Sequence, residues 1–153
     1  MTGMKREDIV ARARALIGIR FRPQGRDPEH GLDCIGVGMM ATGIPKEKVR
    51  RNYGLCSSDP DEANDDFDRC GFIRIAPAAA RYGDFLLVRP RPGALHLLVL
   101  TDRGYVHADM RRRKVVEAPG PVPWPVLSAW RHPADVADDP GAPAVVGPSR
   151  RKN

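Results

Sequence analysis

Four short apolar segments follow one another in the second half of the chain and constrain its fold more than any other feature. They read DFLLVR, ALHLLVLT, YVHAD and KVVEA, and they begin at residues 84, 94, 105 and 114. Each is rich in leucine or β-branched residues, and turn-forming sequences such as Pro-Gly and Asp-Arg-Gly separate them. This pattern is typical of consecutive antiparallel strands. We therefore predict a small antiparallel meander from residue 84 onward.

Two helical segments precede these strands. Apolar residues recur at helical spacing over residues 5–17, which predicts an amphipathic helix that stops at Gly18. After a loop rich in proline and glycine, Asp33 is a candidate N-cap for a second, buried helix that begins at Cys34 and ends at Gly43. Helices followed by a meander predict an α+β domain, with N-terminal helices packed on a small antiparallel β-sheet.

Two stretches lack the periodicity of a packed element. The acidic sequence CSSDPDEANDDFDRC, residues 56–70, predicts an irregular surface excursion. Its aspartates lack the glycine and the terminal glutamate of a calcium-binding loop. Residues 133–153 are dominated by proline, alanine, glycine and charge, which predicts a flexible C-terminal tail. The folded domain is therefore expected to span residues 1–132.

Length and charge restrict the class of protein. A chain of 153 residues suits one soluble domain, and its formal net charge of +6 favours anionic partners. The one basic cluster, residues 110–114, has no interleaved aromatic residues that could stack bases, so we interpret it as a hairpin tip and disfavour a nucleic-acid-binding module.

The charged N-terminus does not resemble a signal peptide, and no apolar run approaches the ~20 residues that cross a bilayer. We expect synthesis in the cytoplasm and no membrane insertion.

The cysteines lie at positions 34, 56 and 70, without a CxxC spacing, so no zinc site is predicted. A bridge between Cys56 and Cys70 would require an oxidising compartment. Cys34 stands at the first turn of the second helix, where free backbone N–H groups and the helix dipole stabilise a thiolate and can bind an oxyanion. Cys34 is therefore a candidate nucleophile, although a buried free cysteine is also a common small apolar residue.

A cysteine nucleophile needs a base. The chain has four histidines, at positions 30, 96, 107 and 132. His96 and His107 fall inside the apolar strands, whereas the other two flank loops or the tail. A two-residue hairpin loop at residues 102–103, or at residues 103–104, places both strand histidines on one face of adjacent strands. Such a pair is either catalytic or a hydrogen-bonded polar patch.

Together with Cys34, these histidines fit one mechanism. A thiolate at a helix N-terminus would react, a base on a strand would move its proton, and a second polar residue on the neighbouring strand would orient the base. His96 is the candidate base. Because Asp109 shares the face of His107, both residues are candidates for the orienting position.

Three segments, taken in order, resemble a known family. FRPQGRDPEHGLDCIGVG, RYGDFLLVR and ALHLLVLTDRGYVHAD are similar to NlpC-type cysteine peptidases of bacterial cell-wall turnover, in the version found in phage tails and gene transfer agents. The resemblance covers residues 5–132 and implies a papain-like NlpC-type domain. It also implies that Cys34 is the nucleophile, His96 the general base and His107 the orienting residue.

Some positions depart from the family. Phe21 stands where an aromatic residue with a hydroxyl is usual, which removes one hydrogen bond, and Ile35 stands where serine is common. Cys56 and Cys70 match no family position.

The resemblance implies hydrolysis of peptidoglycan stem peptides, typically between γ-D-glutamate and a diamino acid, without a cofactor or metal. It further implies that a phage or phage-like particle carries the protein to the cell wall, with tail-tip, hub or baseplate proteins as partners. Arg20, Arg22 and Arg26 are candidates for binding substrate carboxylates. The alternative function is a structural or adaptor component of a tail that keeps the fold but does not cut.

Overall fold

The computed structural model describes residues 4–45 and 59–134. In these ranges the helices are α1 Arg6–Arg14, α2 Cys34–Thr42 and α3 Pro60–Arg69. The strands are β1 Arg26–Asp27, β2 Gly31–Leu32, β3 Ile73–Ile75, β4 Phe85–Val88, β5 His96–Leu100, β6 Gly104–Asp109, β7 Lys114–Pro119 and β8 Val126–Arg131. None of these helices has the length and apolar character needed to cross a membrane.

The main sheet has six strands in the order β3-β8-β4-β5-β6-β7, and each neighbouring pair is antiparallel. Strands β4 to β7 follow one another in sequence and in space, so the predicted meander and the α+β class are confirmed. Strand β8 returns across the sheet to lie between β3 and β4. Neither β3 nor β8 was predicted, because both are short or only half apolar.

Apolar residues cover both faces of the sheet. On one face, Val37 of α2 belongs to a core with Leu97 and Val99 of β5. On the other face, Leu98 packs in a second cluster with Tyr105 of β6. Side chains alternate between the two faces along a strand, and both faces here are covered, so β5 is apolar at consecutive positions. Its first residue, His96, is the polar exception.

Helix α1 is shorter than the predicted helix over residues 5–17. It ends at Arg14, and Ile17 is 45% exposed. The chain leaves the helix because Gly18 donates its N–H to Val115 of β7 at 2.9 Å, and Ile19 accepts from the N–H of Val115 at 2.8 Å. Pairing with the sheet therefore replaces the last predicted helical turn.

Helix α3 overturns the predicted surface excursion over the described residues 59–70. The carboxylate of Asp59 accepts the N–H of Asp61 at 2.9 Å, and Pro60 occupies the first turn, where its missing N–H costs nothing. Phe67 stacks on Trp130 of β8, with ring centroids 5.0 Å apart. The acidic composition concealed the helix because Ala63 and Phe67 are its only apolar side chains that pack on the sheet, among the described residues.

Several sequence predictions fall on residues that the structure does not describe. Cys56 and the start of the acidic stretch lie outside the described ranges, as does the predicted tail beyond residue 134. Whether Cys56 and Cys70 form a bridge is therefore not tested.

Candidate active site

Cys34 is the first residue of α2, as the sequence predicts. The N-cap is Asp33, whose Oδ1 accepts the N–H of Gly36 at 2.8 Å and whose Oδ2 accepts the N–H of Gln24 at 3.0 Å. The helix ends at Gly43, which has a φ of 74°. The thiol itself is buried, since Cys34 is 2% exposed.

The loop before α2 packs directly on the start of the helix. A Cβ on Gly36 would lie 2.2 Å from the carbonyl oxygen of Gly25, so only glycine permits this approach. Within the same loop, Nη1 of Arg26 donates to Oδ1 of Asp33 at 2.6 Å. Phe21 is half-buried against the helix-side core.

His96 and His107 form a hydrogen-bonded pair, with Nε2 of His96 and Nδ1 of His107 2.8 Å apart. Val99 lies opposite Val106, and Leu100 opposite Tyr105. This is the register that a two-residue loop at residues 102–103 predicts. The prediction that both histidines share one face of adjacent strands is therefore confirmed.

Asp109 was the other candidate partner of His96. Its Oδ1 instead accepts the backbone N–H groups of Arg111 and Arg112, at 2.9 and 3.3 Å. These bonds hold Asp109 at the turn that leads into β7. The hydrogen-bond partner of the His96 ring is His107.

Trp124 packs against both rings of the pair, with centroids 5.7 Å from His96 and 5.7 Å from His107. Tyr105 completes the cluster, 5.8 Å from the Trp124 ring. His96 is 9% exposed and His107 is 6% exposed. Sequence reasoning missed Trp124, because it lies in the proline-rich segment PVPWPV, without the period of a strand.

Cys34 and His96, the first residue of β5, both line an apolar cavity of about 60 Å³. The backbone N–H of Leu97, next to His96, is the polar group of β5 that acts on the thiol. Among the described residues, no hydrogen bond joins the thiol to the His96 ring. Hydrogen bonds of this type often tighten only when a substrate binds.

The two candidate reacting groups are both neutral in this structure. Burial, and then the negative charge of Asp33, raise the pKa of the Cys34 thiol to about 12, against the opposing effects of Arg26 and two backbone N–H groups. Burial thus opposes the stabilisation of a thiolate that the helix N-terminus provides. Burial and the neighbouring His107 lower the pKa of His96 to about 3.

A groove of about 270 Å³ is lined by both histidines of the pair. Arg91, in the turn before β5, and Arg111, in the turn after β6, line it together with Trp124. Of the three arginines predicted to bind substrate, Arg26 is engaged by Asp33, and Arg20 donates from Nε to the carbonyl of His30 at 3.0 Å.

The remaining histidines lie away from the pair. His30 is exposed, and its Nδ1 lies 2.9 Å from the carboxylate of Asp27. With Glu29 these residues bring ligand atoms within 4.8 Å of one another, a group that could hold a metal ion, but it is exposed and includes neither Cys34 nor His96. His132 packs on Phe72, with ring centroids 5.7 Å apart.

Comparisons with known proteins were made by sequence and by structure. No family model matches the sequence, and a search of curated proteins finds no match. Several solved structures share the fold. Peptidoglycan hydrolase RipB from Mycobacterium tuberculosis is 20% identical with a TM-score of 0.55, over 83% of this chain and 63% of RipB. This chain thus spans less than two thirds of RipB.

Two isolated domains align over most of their length. The NlpC/p60 domain of peptidoglycan hydrolase SagA is 22% identical with a TM-score of 0.52, over 76% of this chain and 90% of the domain. The P60 domain of antigen MAP1204 from M. avium subspecies paratuberculosis is 19% identical with a TM-score of 0.56, over 82% of this chain and 92% of that domain.

Proposed function

We propose, from the NlpC/p60 fold of this chain and the contacts around Cys34, that it is a cysteine peptidase that hydrolyses amide bonds in peptidoglycan stem peptides. One observation carries the proposal most directly. A cysteine at a capped helix start lies beside the end of a strand whose first residue, His96, is hydrogen-bonded to a second buried histidine at 2.8 Å. A purely structural domain has no need of this combination.

The first half of the reaction follows from the histidine pair. If the single proton of neutral His96 lies on Nε2 and is donated to Nδ1 of His107, the lone pair on Nδ1 of His96 is free to accept a proton. This nitrogen takes the thiol proton of Cys34 as the sulfur bonds to the substrate carbonyl carbon. The backbone N–H of Cys34, at the start of α2, helps to bind the oxyanion that forms.

The second half returns the protons. The carbon–nitrogen bond breaks as the imidazolium of His96 gives its proton to the leaving amine, which leaves a thioester on Cys34. Water then attacks the thioester carbonyl, and His96 removes a proton from this water. A carboxylic acid is released, and the thiol regains its hydrogen. No cofactor takes part in either half.

The neutral resting pair sets the order of events. Because the pKa of Cys34 is high and that of His96 is low, the thiol keeps its proton until a substrate is in place. A polar peptide entering the dry site supplies the dipoles that favour charge separation. The proton therefore moves as the sulfur attacks, and not beforehand.

The bond cleaved is proposed to be that between γ-D-glutamate and a diamino acid. Stem peptides of this kind carry carboxylates beside the scissile bond. The groove lined by both histidines also contains Arg91, Arg111 and Asp109, and the pKa values of His96 and His107 are lowered, so two guanidinium groups against one carboxylate leave the groove positively charged. This supports binding of an anionic leaving segment there.

The setting is proposed to be a phage or phage-like particle that carries the enzyme to the cell wall, docked on tail-tip, hub or baseplate proteins. The order of the motifs around Cys34, His96 and His107, which resembles the phage-tail version of the family, supports this setting. Purified particles should contain the protein, and a particle lacking it should still assemble but penetrate the wall poorly.

We expect purified wild-type protein to release new amine and carboxyl termini from purified peptidoglycan. Mass analysis of the fragments identifies the bond. Cys34→Ala should abolish release, because no thioester can form, whereas Cys70→Ala, which removes another cysteine lining the same cavity, should retain it.

No new termini with the wild-type protein on any peptidoglycan type would contradict the peptidase proposal. If that protein nevertheless sedimented with cell-wall sacculi and bound tail proteins, the structural or adaptor function would be supported instead. Equal digestion by wild type and Cys34→Ala would show that another residue is the nucleophile.

A further inference from the structure

The carboxylate of Asp33 lies beside the candidate nucleophile and is almost completely enclosed. Asp33 is 1% exposed and directly precedes Cys34. Its two oxygens accept from the backbone of Gly36 and Gln24, which fixes the helix start. The same carboxylate places a buried negative charge next to a sulfur that must itself become negative during the reaction.

One cation contacts this carboxylate in the described part of the chain. Nη1 of Arg26 lies 2.6 Å from Oδ1 of Asp33 and also donates to the carbonyl oxygen of Gly25 at 3.1 Å. Its side chain is 14% exposed, so water screens the pair only weakly. The guanidinium is held by two acceptors and does not sample the surface as a free arginine would.

The other arginines of this loop are placed differently. Arg20 is exposed and binds the carbonyl of His30, and Arg22 is exposed. Asp33 opposes ionisation of the Cys34 thiol, and Arg26 favours it. The loop thus provides one arginine for the cap and leaves two for the surface.

We propose that Arg26 is a positioning residue for the nucleophile, which locks the Asp33 cap and offsets its charge so that the Cys34 thiol can ionise during attack. The inference rests on the proposed function only in taking Cys34 as the nucleophile. The ionisation itself can be measured without any peptidoglycan.

Other titratable groups also surround the thiol. From β5, His96 lines the cavity of Cys34, and from α3 and its end, Asp66 and Cys70 line it too. These groups are unchanged by substitution of Arg26. A difference between variants at position 26 therefore reports on the pair formed with Asp33.

The test is the rate at which iodoacetamide alkylates Cys34, followed by mass analysis of the Cys34 peptide from neutral to mildly alkaline pH. Arg26→Gln should slow alkylation about tenfold at a given pH, because losing the neighbouring positive charge raises the pH needed for ionisation by about one unit. Arg26→Lys, which keeps the charge, should recover most of the rate. Arg22→Gln removes an equal charge from the same loop and should match wild type.

A second comparison separates charge from loop structure. Asp33→Asn keeps a good N-cap but removes the carboxylate charge. In that background, Arg26→Gln should slow alkylation by clearly less than it does with Asp33 present, since without the carboxylate the guanidinium is no longer held beside the thiol. A loosened loop would instead expose the thiol and speed alkylation in both backgrounds, with a lower melting temperature.

The proposal is overturned if Arg26→Gln alkylates at the rate of wild type and Arg22→Gln. It is also overturned if Arg26→Gln slows the reaction equally with Asp33 and with Asn at position 33. Either result leaves peptidoglycan digestion by the wild-type protein untouched. Conversely, a wild-type protein that does not digest peptidoglycan would contradict the proposed function but not the effect of Arg26 on the Cys34 thiol.

Discussion

At the scale of the residue, burial determines the protonation states of this site. The enclosed surroundings of Cys34 favour the neutral thiol, and the same effect on His96 favours the neutral imidazole. Position at a helix start would by itself favour a thiolate. The pKa of the cysteine is raised and that of the histidine is lowered for the same reason, the loss of water around the charged form.

The neutral state of His96 has a consequence for stability. Its pKa is lowered to about 3 in the folded protein, whereas an unfolded chain binds the proton near the ordinary value of 6.5. Stability should therefore be lost as pH falls through the window from 6.5 toward 3, by about 2 kcal/mol between about pH 7 and about pH 4.5. Urea unfolding at the two pH values measures this fall.

Two variants isolate the contribution of His96. With His96→Gln, which has no titrating ring, the fall in unfolding free energy between the two pH values should be smaller. His30→Gln, which removes an exposed histidine, should keep the wild-type fall. An identical fall in all three proteins would contradict a buried, neutral His96.

At the scale of the element, the start of α2 is positioned by close backbone contact. The loop containing Gly25 rests on Gly36, one turn into the helix, and the Asp33 cap ties the two together. Gly38, two residues further along the helix, faces the side chain of Leu97 in β5. Gly36 therefore faces a backbone oxygen that cannot easily shift, whereas Gly38 faces a leucine side chain that can.

Gly36→Ala should destabilise the protein by about 1–3 kcal/mol, because the new methyl group would overlap the backbone oxygen of Gly25. Gly38→Ala is the matched control. Its Cβ would lie 3.2 Å from the end of a leucine side chain, and alanine favours the helix, so the change in unfolding free energy should be below about 1 kcal/mol. Equal costs at the two positions would argue against the tight loop contact.

At the scale of the whole molecule, a buried ion pair connects parts of the chain that are distant in sequence. Asp84, just before β4, accepts from Nε and Nη2 of Arg131 in β8 at 2.9 and 2.7 Å, and both side chains are 0% exposed. Arg6 of α1 approaches the same carboxylate at 4.0 Å and donates to the carbonyl of Tyr82 at 2.8 Å. The first helix and the returning strand thus meet at one aspartate.

Asp84→Ala should cost about 3–5 kcal/mol of unfolding free energy, since it leaves the Arg131 guanidinium buried without its carboxylate. Asp102→Ala breaks an exposed ion pair with Arg14, which water screens, and should lower the unfolding free energy far less. Urea denaturation compares the two variants. A cost for Asp84→Ala as small as that for Asp102→Ala would show that the buried pair adds little to the fold.

Local patterns in the chain were sufficient for part of this structure. The four central strands, the helix from Cys34 to Gly43 and the shared face of His96 and His107 follow from periodicity, capping and hairpin parity, all of which act over a few residues. The extent of α1 and the existence of α3 did not follow, because pairing of Gly18 with β7 and stacking of Phe67 on Trp130 join distant segments.

The same distinction between local pattern and long-range contact applies to the candidate site. The sequence by itself determined which side chains could react, since a cysteine at a helix start and two histidines of equal strand parity are local properties. Only the tertiary structure decided that His107 and not Asp109 contacts His96, that Trp124 covers the pair, and that Arg26 binds Asp33. Hydrogen-bond partners and desolvation depend on what the rest of the chain brings into contact, and local spacing does not encode that.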